Sequence, residues 1–136
     1  MSADLATTIV KYLGKQPGIG TIYLFGSRAK GKAAVSSDVD IAVLYEADQV
    51  PDARTLLDLR ENLAAHLQVD RVDLVLLNRA NPILKYQVFR YGKCLLNRNT
   101  RHHKRFLVRS MTEYADVKRM RAPIERSLSK GRIYGR

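Results

Sequence analysis

GSRAKGKAAVSSDVDIAVL, residues 26–44, joins a loop of small and basic residues to an apolar run, and the rest of the fold can be placed around it. Gly26 and Ser27 begin the loop, and Asp38 and Asp40 lie one residue apart where the apolar run starts. After Asp38, apolar residues occupy every second position, which is typical of a β-strand with one face in the core. The two aspartates therefore project together from the opposite face of this strand.

Helices and strands alternate on both sides of this stretch, as judged from the spacing of apolar residues. The predicted helices cover residues 4–14, 53–67 and the segment between Asn81 and Gly92, and the predicted strands cover 21–25, 38–44, 70–77 and 93–96. A long basic helix is predicted from Arg101 to about Met120, with Pro123 ending it. This order predicts an α/β fold with a small mixed β-sheet flanked by helices and a basic C-terminal helix.

The composition is that of one globular domain, with 136 residues of which 46% are hydrophobic. No run approaches the roughly 18 apolar residues that a membrane-spanning helix needs. The N-terminal segment carries an acidic residue where a signal peptide would be basic, so we expect a cytoplasmic protein without membrane contact. The lone Cys94 lies in an apolar, strand-like run, which favours a buried structural thiol over a catalytic one.

Positive charge is concentrated in the last quarter of the chain. The whole chain has 24 Lys and Arg against 13 Asp and Glu, a net charge of +11. Residues 101–136 contain 11 basic and 3 acidic residues, a net charge of +8. Such asymmetry indicates an anionic partner, which can be nucleic acid, an acidic protein surface or a phosphorylated substrate. A solvated tail that only increases solubility is the alternative.

Three aspartates are candidate ligands for metal ions. Asp38 and Asp40 lie about 7 Å apart on one face of a strand, and Asp73 interrupts the next apolar run. If the Asp73 strand pairs beside them, the three carboxylates converge and need protons or cations to offset their repulsion. Carboxylate oxygens select Mg²⁺ or Mn²⁺. Two such ions can activate a hydroxyl nucleophile and stabilise the leaving oxygen in a displacement at phosphorus.

The loop before the aspartates has the residues that bind phosphate. Gly26 lets the main chain approach a phosphate closely, and the Ser27 hydroxyl can bind its oxygens. Arg28 and the two lysines that follow offer countercharge, so nucleotidyl transfer with departure of pyrophosphate is the expected reaction. The chain has no GKS or GKT of a P-loop. Its cysteine and histidines lack a four-ligand zinc set, and His102-His103 is predicted to belong to the basic surface.

The quoted stretch resembles the GSx10DxD pattern of minimal nucleotidyltransferases of the DNA polymerase β superfamily, with no gap. Chain length and the segment NPILKYQVFRYGKCLLNRN are similar to MntA-type antitoxins of HepT–MntA toxin–antitoxin pairs. The resemblance implies that Ser27 contacts the triphosphate, and the loop chemistry adds Gly26 and Arg28 as predicted nucleotide-binding residues. The resemblance also implies that Asp38, Asp40 and Asp73 are the catalytic carboxylates and bind two Mg²⁺ ions, for which Mn²⁺ can substitute. Asp70 lies near Asp73 but precedes the apolar run, so Asp73 is preferred.

The same resemblance implies a reaction and a partner. Such antitoxins transfer AMP from ATP to a tyrosine of a HEPN-domain ribonuclease toxin. Residues 1–97 are then the nucleotidyltransferase core, and residues 98–136 are a basic helical extension of the same domain. Three alternatives stay open: an antitoxin that acts by binding alone, nucleotidyl transfer to RNA, and transfer to a small molecule. The basic C-terminus could contact either the toxin or RNA.

Overall fold

The computed structural model describes the main chain of residues 3–26 and 38–131, and the side chains within 5–26 and 38–122. The elements in chain order are α1 (Ala3–Leu13), β1 (Ile19–Phe25), β2 (Val39–Tyr45), α2 (Ala53–Leu67), β3 (Val72–Leu76), α3 (Pro82–Tyr91), β4 (Lys93–Asn97) and α4 (Thr100–Gly131). Short 3-10 turns cover Ala47–Gln49 and Leu77–Arg79. In the part of the chain described, no helix is long and apolar enough to span a membrane.

The four strands form one sheet in the order β3-β2-β1-β4. β1 pairs antiparallel with both β2 and β4, whereas β2 and β3 run parallel. Parallel neighbours need a long crossover, and α2 supplies it between β2 and β3. The mixed sheet and the alternation of helices with strands are as predicted.

Both faces of the two central strands are buried. On one face, Ile22, Leu24 and Ile41 pack with side chains of α1 and α2. On the other face, Tyr23 and Leu44 pack with side chains of α3 and α4. This second face is the side to which Asp40 belongs, because side chains two residues apart on a strand point the same way. Asp40 therefore lies on the face of the sheet that packs with α3 and α4.

Side-chain caps start the helices that frame the sheet. The Asp52 carboxylate accepts a hydrogen bond from the Thr55 amide at 2.8 Å, and α2 begins at the next residue. Asn81 caps α3 in the same way, with Pro82 in the first helical turn, as predicted. α2 ends at Leu67, and Gln68 follows it with a left-handed backbone (φ 57°) and an amide that donates to carbonyls of the last turn. These caps fix where each helix begins and ends relative to the sheet.

The first turn of α4 is attached to the sheet by two histidines. His102 Nε2 donates to the Tyr45 carbonyl at 3.0 Å. The Tyr23 hydroxyl and His103 Nε2 share a hydrogen bond of 2.8 Å. Burial, aided by the nearby Cys94 thiol, raises the pKa of Tyr23 to about 12, so the phenol keeps its proton. The prediction that His102-His103 is basic surface is therefore wrong, because both rings fasten α4 to strands far away in sequence.

Two further predictions differ from the structure. The helix predicted to end at Pro123 continues to Gly131; a proline removes one hydrogen bond from a helix and kinks it, but a long helix can continue beyond it. Cys94, predicted to be buried, is exposed. Its strand β4 is at the edge of the sheet, and an edge strand has only one neighbour to cover it.

Candidate active site

One end of the sheet collects the residues singled out in the sequence. β1 ends at Phe25, which is the partner of Asp40 near the start of β2. Because β2 and β3 run parallel, Asp40 is also the partner of Asp73 near the start of β3. Asp38 immediately precedes β2. The structure therefore brings Gly26, Asp40 and Asp73 together, with Asp38 beside them.

Asp40 and Asp73 form a coupled pair of carboxyl groups. Burial, a hydrogen bond to Asp73 and the negative charges of Asp73 and Asp38 raise the pKa of Asp40 from 3.8 to about 6. The positive charge of Arg71 opposes this rise. Two neighbouring carboxylates that share a site cannot both ionise without a proton or a cation between them. The pair therefore has the electrostatic character of a cation-binding site.

Position 26 requires glycine, in part because the Asp40 carboxyl group packs against it. Its φ is +75°, a left-handed backbone that L residues with a side chain seldom adopt. A Cβ built on Gly26 would lie 3.0 Å from Cγ of Asp40 and closer still to its Oδ2. Glycine is therefore required both by the backbone conformation and by the carboxylate packed against it. The predicted close approach of Gly26 to a phosphate stays a prediction, because the neighbour seen at Gly26 is a carboxylate of the chain itself.

Arg71 was not recognised in the sequence and lies within this cluster. Its Nε and Nη2 both lie 3.2 Å from Oδ1 of Asp73, and its Nη1 lies 4.0 Å from Oδ2 of Asp38. The signal was present in the order Arg71-Val72-Asp73, because residues two apart on a strand share a face. The guanidinium offsets part of the negative charge of three carboxylates.

The other predicted nucleotide-binding residues, Ser27 and Arg28, lie outside the described residues. Within residues 3–26 and 38–131, no three His, Cys, Asp or Glu side chains stand arranged to hold a metal ion. The donor chemistry nevertheless fits a hard divalent cation, since Asp40 and Asp73 already adjoin and carry only oxygen donors. Of the three predicted aspartates, Asp38 is separate from the other two, with its side chain 47% exposed and directed to Arg71.

Comparison with known proteins identifies the family of this chain. The family described as "Polymerase beta, Nucleotidyltransferase" matches residues 7–101, which include all four strands. The protein adenylyltransferase MntA of Shewanella oneidensis is 36% identical over 108 residues, which cover 79% of this chain and 75% of that protein.

Solved structures of toxin–antitoxin complexes are also similar. A chain of a toxin–antitoxin crystal structure with AMP-PNP superposes with a TM-score of 0.79 at 33% identity, covering 91% of this chain and 98% of that one. A tri-AMPylated Shewanella oneidensis HEPN toxin in complex with MNT antitoxin gives a TM-score of 0.76 at 30% identity, over 95% and 99% of the two chains. The chain therefore belongs to the polymerase β nucleotidyltransferase family, and within that family to the MntA protein adenylyltransferases.

Proposed function

We propose that this protein transfers AMP from ATP to a tyrosine hydroxyl of a HEPN-domain ribonuclease toxin and thereby acts as its antitoxin. The observation that carries the proposal is the Asp40–Asp73 pair beside Gly26, at the end of the sheet where β1 ends and β2 and β3 begin. Support comes from the similar complexes, one holding AMP-PNP and another a tri-AMPylated HEPN toxin.

Asp38, Asp40 and Asp73 would hold two Mg²⁺ ions, for which Mn²⁺ can substitute. When bound, these cations neutralise charge on the phosphates and make the acceptor hydroxyl more acidic. Because the pKa of Asp40 is about 6 in the cation-free protein, its carboxyl is mostly ionised at neutral pH and can bind a cation. The Asp73 carboxylate helps to remove the acceptor proton. The acceptor oxygen then forms a bond to the α-phosphorus, and the bond to pyrophosphate breaks.

The nucleotide is proposed to enter beside Gly26. Because Gly26 has no side chain, the Asp40 carboxylate can pack directly against the main chain at this position. A triphosphate bound by the Gly26-Ser27 backbone, the Ser27 hydroxyl and the Arg28 guanidinium would then place its α-phosphate near Asp40. Hydrogen-bond donors would meet the β and γ oxygens, and carboxylates with cations would meet the reacting phosphorus.

The exposed side of α4 is proposed to dock the toxin. Between Arg101 and Arg121 the helix has seven basic and two acidic residues, and one of those acids, Glu113, pairs with Lys85. Val108 is 65% exposed in a shallow depression that it shares with basic side chains, namely Lys104, Arg105 and Arg109. An apolar residue surrounded by basic ones fits an acidic protein surface with an apolar centre.

The reaction is tested by incubating the protein with α-labelled ATP, Mg²⁺ and a candidate HEPN-domain toxin. Wild-type protein and the control Asp48→Asn, which changes an exposed aspartate, should label the toxin equally. Asp38→Ala and Asp73→Ala should lower labelling by at least about 100-fold, as expected for loss of electrostatic stabilisation in a transition state. Wild-type labelling by either variant would refute the assigned roles. Growth rescue by an Asp38→Ala/Asp40→Ala variant would instead favour an antitoxin that acts by contact.

The docking surface is tested with Arg105→Glu/Arg109→Glu, compared with Arg54→Glu on α2. The α4 variant should weaken the complex with the toxin and leave the melting temperature unchanged, whereas Arg54→Glu should leave both unchanged. Binding of RNA that disappears with the α4 charges and depends steeply on salt would support the alternative role of this surface.

A further inference from the structure

We infer that the Arg71 guanidinium occupies the cation site in the cation-free protein. It binds Asp38 and Asp73, competes with a divalent cation, and moves aside when one binds. The inference rests on the proposed cation binding by Asp38, Asp40 and Asp73, and goes beyond it by naming a residue that controls access.

The contacts of Arg71 are with the proposed ligands themselves. Two of its nitrogens meet one Asp73 oxygen at 3.2 Å, and a third nitrogen lies 4.0 Å from an Asp38 oxygen. An oxygen lone pair that accepts from a guanidinium is not available to a cation. A cation at these oxygens would also lie within a few ångströms of a permanent positive charge, which arginine cannot lose by deprotonation. The guanidinium and a cation therefore compete for these two carboxylates.

The main chain at Arg71 is fixed, so only the side chain can move. The Arg71 carbonyl accepts a hydrogen bond from the Val39 amide at 3.2 Å, which ties it to the first residue of β2. The Arg71 side chain is 67% exposed, so little packing opposes its rotation. Release of the guanidinium would leave the strand pairing between β2 and β3 intact.

A second position for the guanidinium lies beside the first. Arg71 lines a groove of about 380 Å³ between α2 and the start of β3, together with Glu61 and Asp70. These two acids can receive the guanidinium when it leaves Asp38 and Asp73. The groove thus makes Arg71 a side chain with two sets of acidic partners, one shared with the cation and one not.

The test is binding of Mn²⁺ to the full chain without nucleotide, measured by electron paramagnetic resonance of free Mn²⁺ and by calorimetry. Arg71→Gln should bind Mn²⁺ about three- to tenfold more tightly than wild type, as expected from removing two exposed ion pairs. The control Arg60→Gln removes the same charge from an exposed residue of the same groove and should change affinity less than twofold. Arg71→Lys keeps the charge without the planar fork and should lie between wild type and Arg71→Gln.

A double-mutant cycle tests whether Glu61 and Asp70 receive the Arg71 guanidinium. Glu61→Gln/Asp70→Asn should weaken Mn²⁺ binding about two- to threefold in the wild-type background and have no effect in the Arg71→Gln background. If Glu61→Gln/Asp70→Asn lowered the Mn²⁺ affinity equally in both backgrounds, the effect would be long-range electrostatics. The proposal that the guanidinium moves to Glu61 and Asp70 would then be wrong.

Affinity of Arg71→Gln equal to that of Arg60→Gln, or weaker than wild type, would overturn the inference, since Arg71 would then only orient Asp73. Failure of the proposed function looks different. In that case Asp38→Asn/Asp40→Asn would bind Mn²⁺ as wild type does, whatever residue stands at 71.

Discussion

Replacing Asp40 by Asn is expected to stabilise the cation-free protein while it abolishes AMP transfer. In the folded protein the pKa of Asp40 rises from 3.8 to about 6, chiefly because the carboxyl is buried and then because Asp73 and Asp38 lie near it. A rise of this size corresponds to about 3 kcal/mol for a group wholly shielded from water. The Asp40 side chain is only partly buried, so solvent screening reduces the expected effect to about 1 kcal/mol.

The sign of the pH dependence follows from the raised pKa. Below about pH 4, Asp40 is protonated in both the folded and unfolded states, and its stabilising contribution is fully present. As pH rises through about 6 the folded protein must ionise this carboxyl, and the contribution is lost. The amide introduced by Asp40→Asn has no such proton to lose, so this variant should gain about 1 kcal/mol relative to wild type between pH 4 and pH 7.5. That gain corresponds to a melting temperature higher by about 3–5 °C at pH 7.5.

The assay is urea and thermal unfolding at pH 4.5, 6 and 7.5 in EDTA, with Asp48→Asn as a control that changes an exposed aspartate. Addition of Mg²⁺ provides a second readout, because a cation that binds only the folded state raises stability. Wild type should gain stability from Mg²⁺ and Asp40→Asn should not. A wild-type minus variant difference that stays constant with pH, or a variant less stable than wild type at pH 7.5, would refute the electrostatic account of this pair.

Three further substitutions test the glycine beside the site and two contacts that hold α4 in place. Gly26→Ala should destabilise by roughly 1–2 kcal/mol from its left-handed backbone alone, and should lose AMP transfer because its Cβ displaces Asp40; unfolding and labelling assays measure both. Lys85→Ala should lower the free energy of unfolding by about 2 kcal/mol, since Lys85 is 7% exposed and its Nζ lies 2.6 Å from Glu113 Oε1, whereas the exposed Lys93→Ala should change it by less than about 0.5 kcal/mol. Tyr23→Phe should cost about 1 kcal/mol by removing the hydrogen bond to His103, and an unchanged unfolding curve would contradict that anchoring role.

Predictions from the sequence succeeded where the governing interactions are local. Strand alternation places Asp40 on the face of β2 that carries Leu44, and the Asn81-Pro82 pair marks the start of α3 through its cap. The nearness of Asp73 required one assumption about pairing, which the parallel register of β2 and β3 satisfies. The fold and the nearness of Asp40 to Asp73 could therefore be predicted before the structure.

The errors concern contacts between residues far apart in sequence. The burial of Lys85 was not predicted, because its partner Glu113 lies on α4, 28 residues later. Cys94 is exposed because its strand lies at the edge of the sheet, and apolar periodicity does not tell an edge strand from a central one. His102 was predicted to lie on the basic surface, but its ring donates to the main-chain carbonyl of Tyr45 at the end of β2. Lys85 and His102 have partners on other elements, and the position of β4 at the sheet edge depends on how all four strands pair; local patterns identify neither.

The charge balance of the sheet end constrains how substrates can assemble there. Among the described residues it holds three carboxylates and one guanidinium, so the cluster is strongly negative once Asp40 ionises near pH 6. A triphosphate without cations would be repelled from such a cluster, and a cation without nucleotide must compete with Arg71. Nucleotide and cation arriving together avoid both difficulties, because each neutralises what opposes the other. The affinity for Mn²⁺ should therefore rise more on addition of a non-hydrolysable ATP analogue in wild type than in Arg71→Gln, where the competitor is already absent.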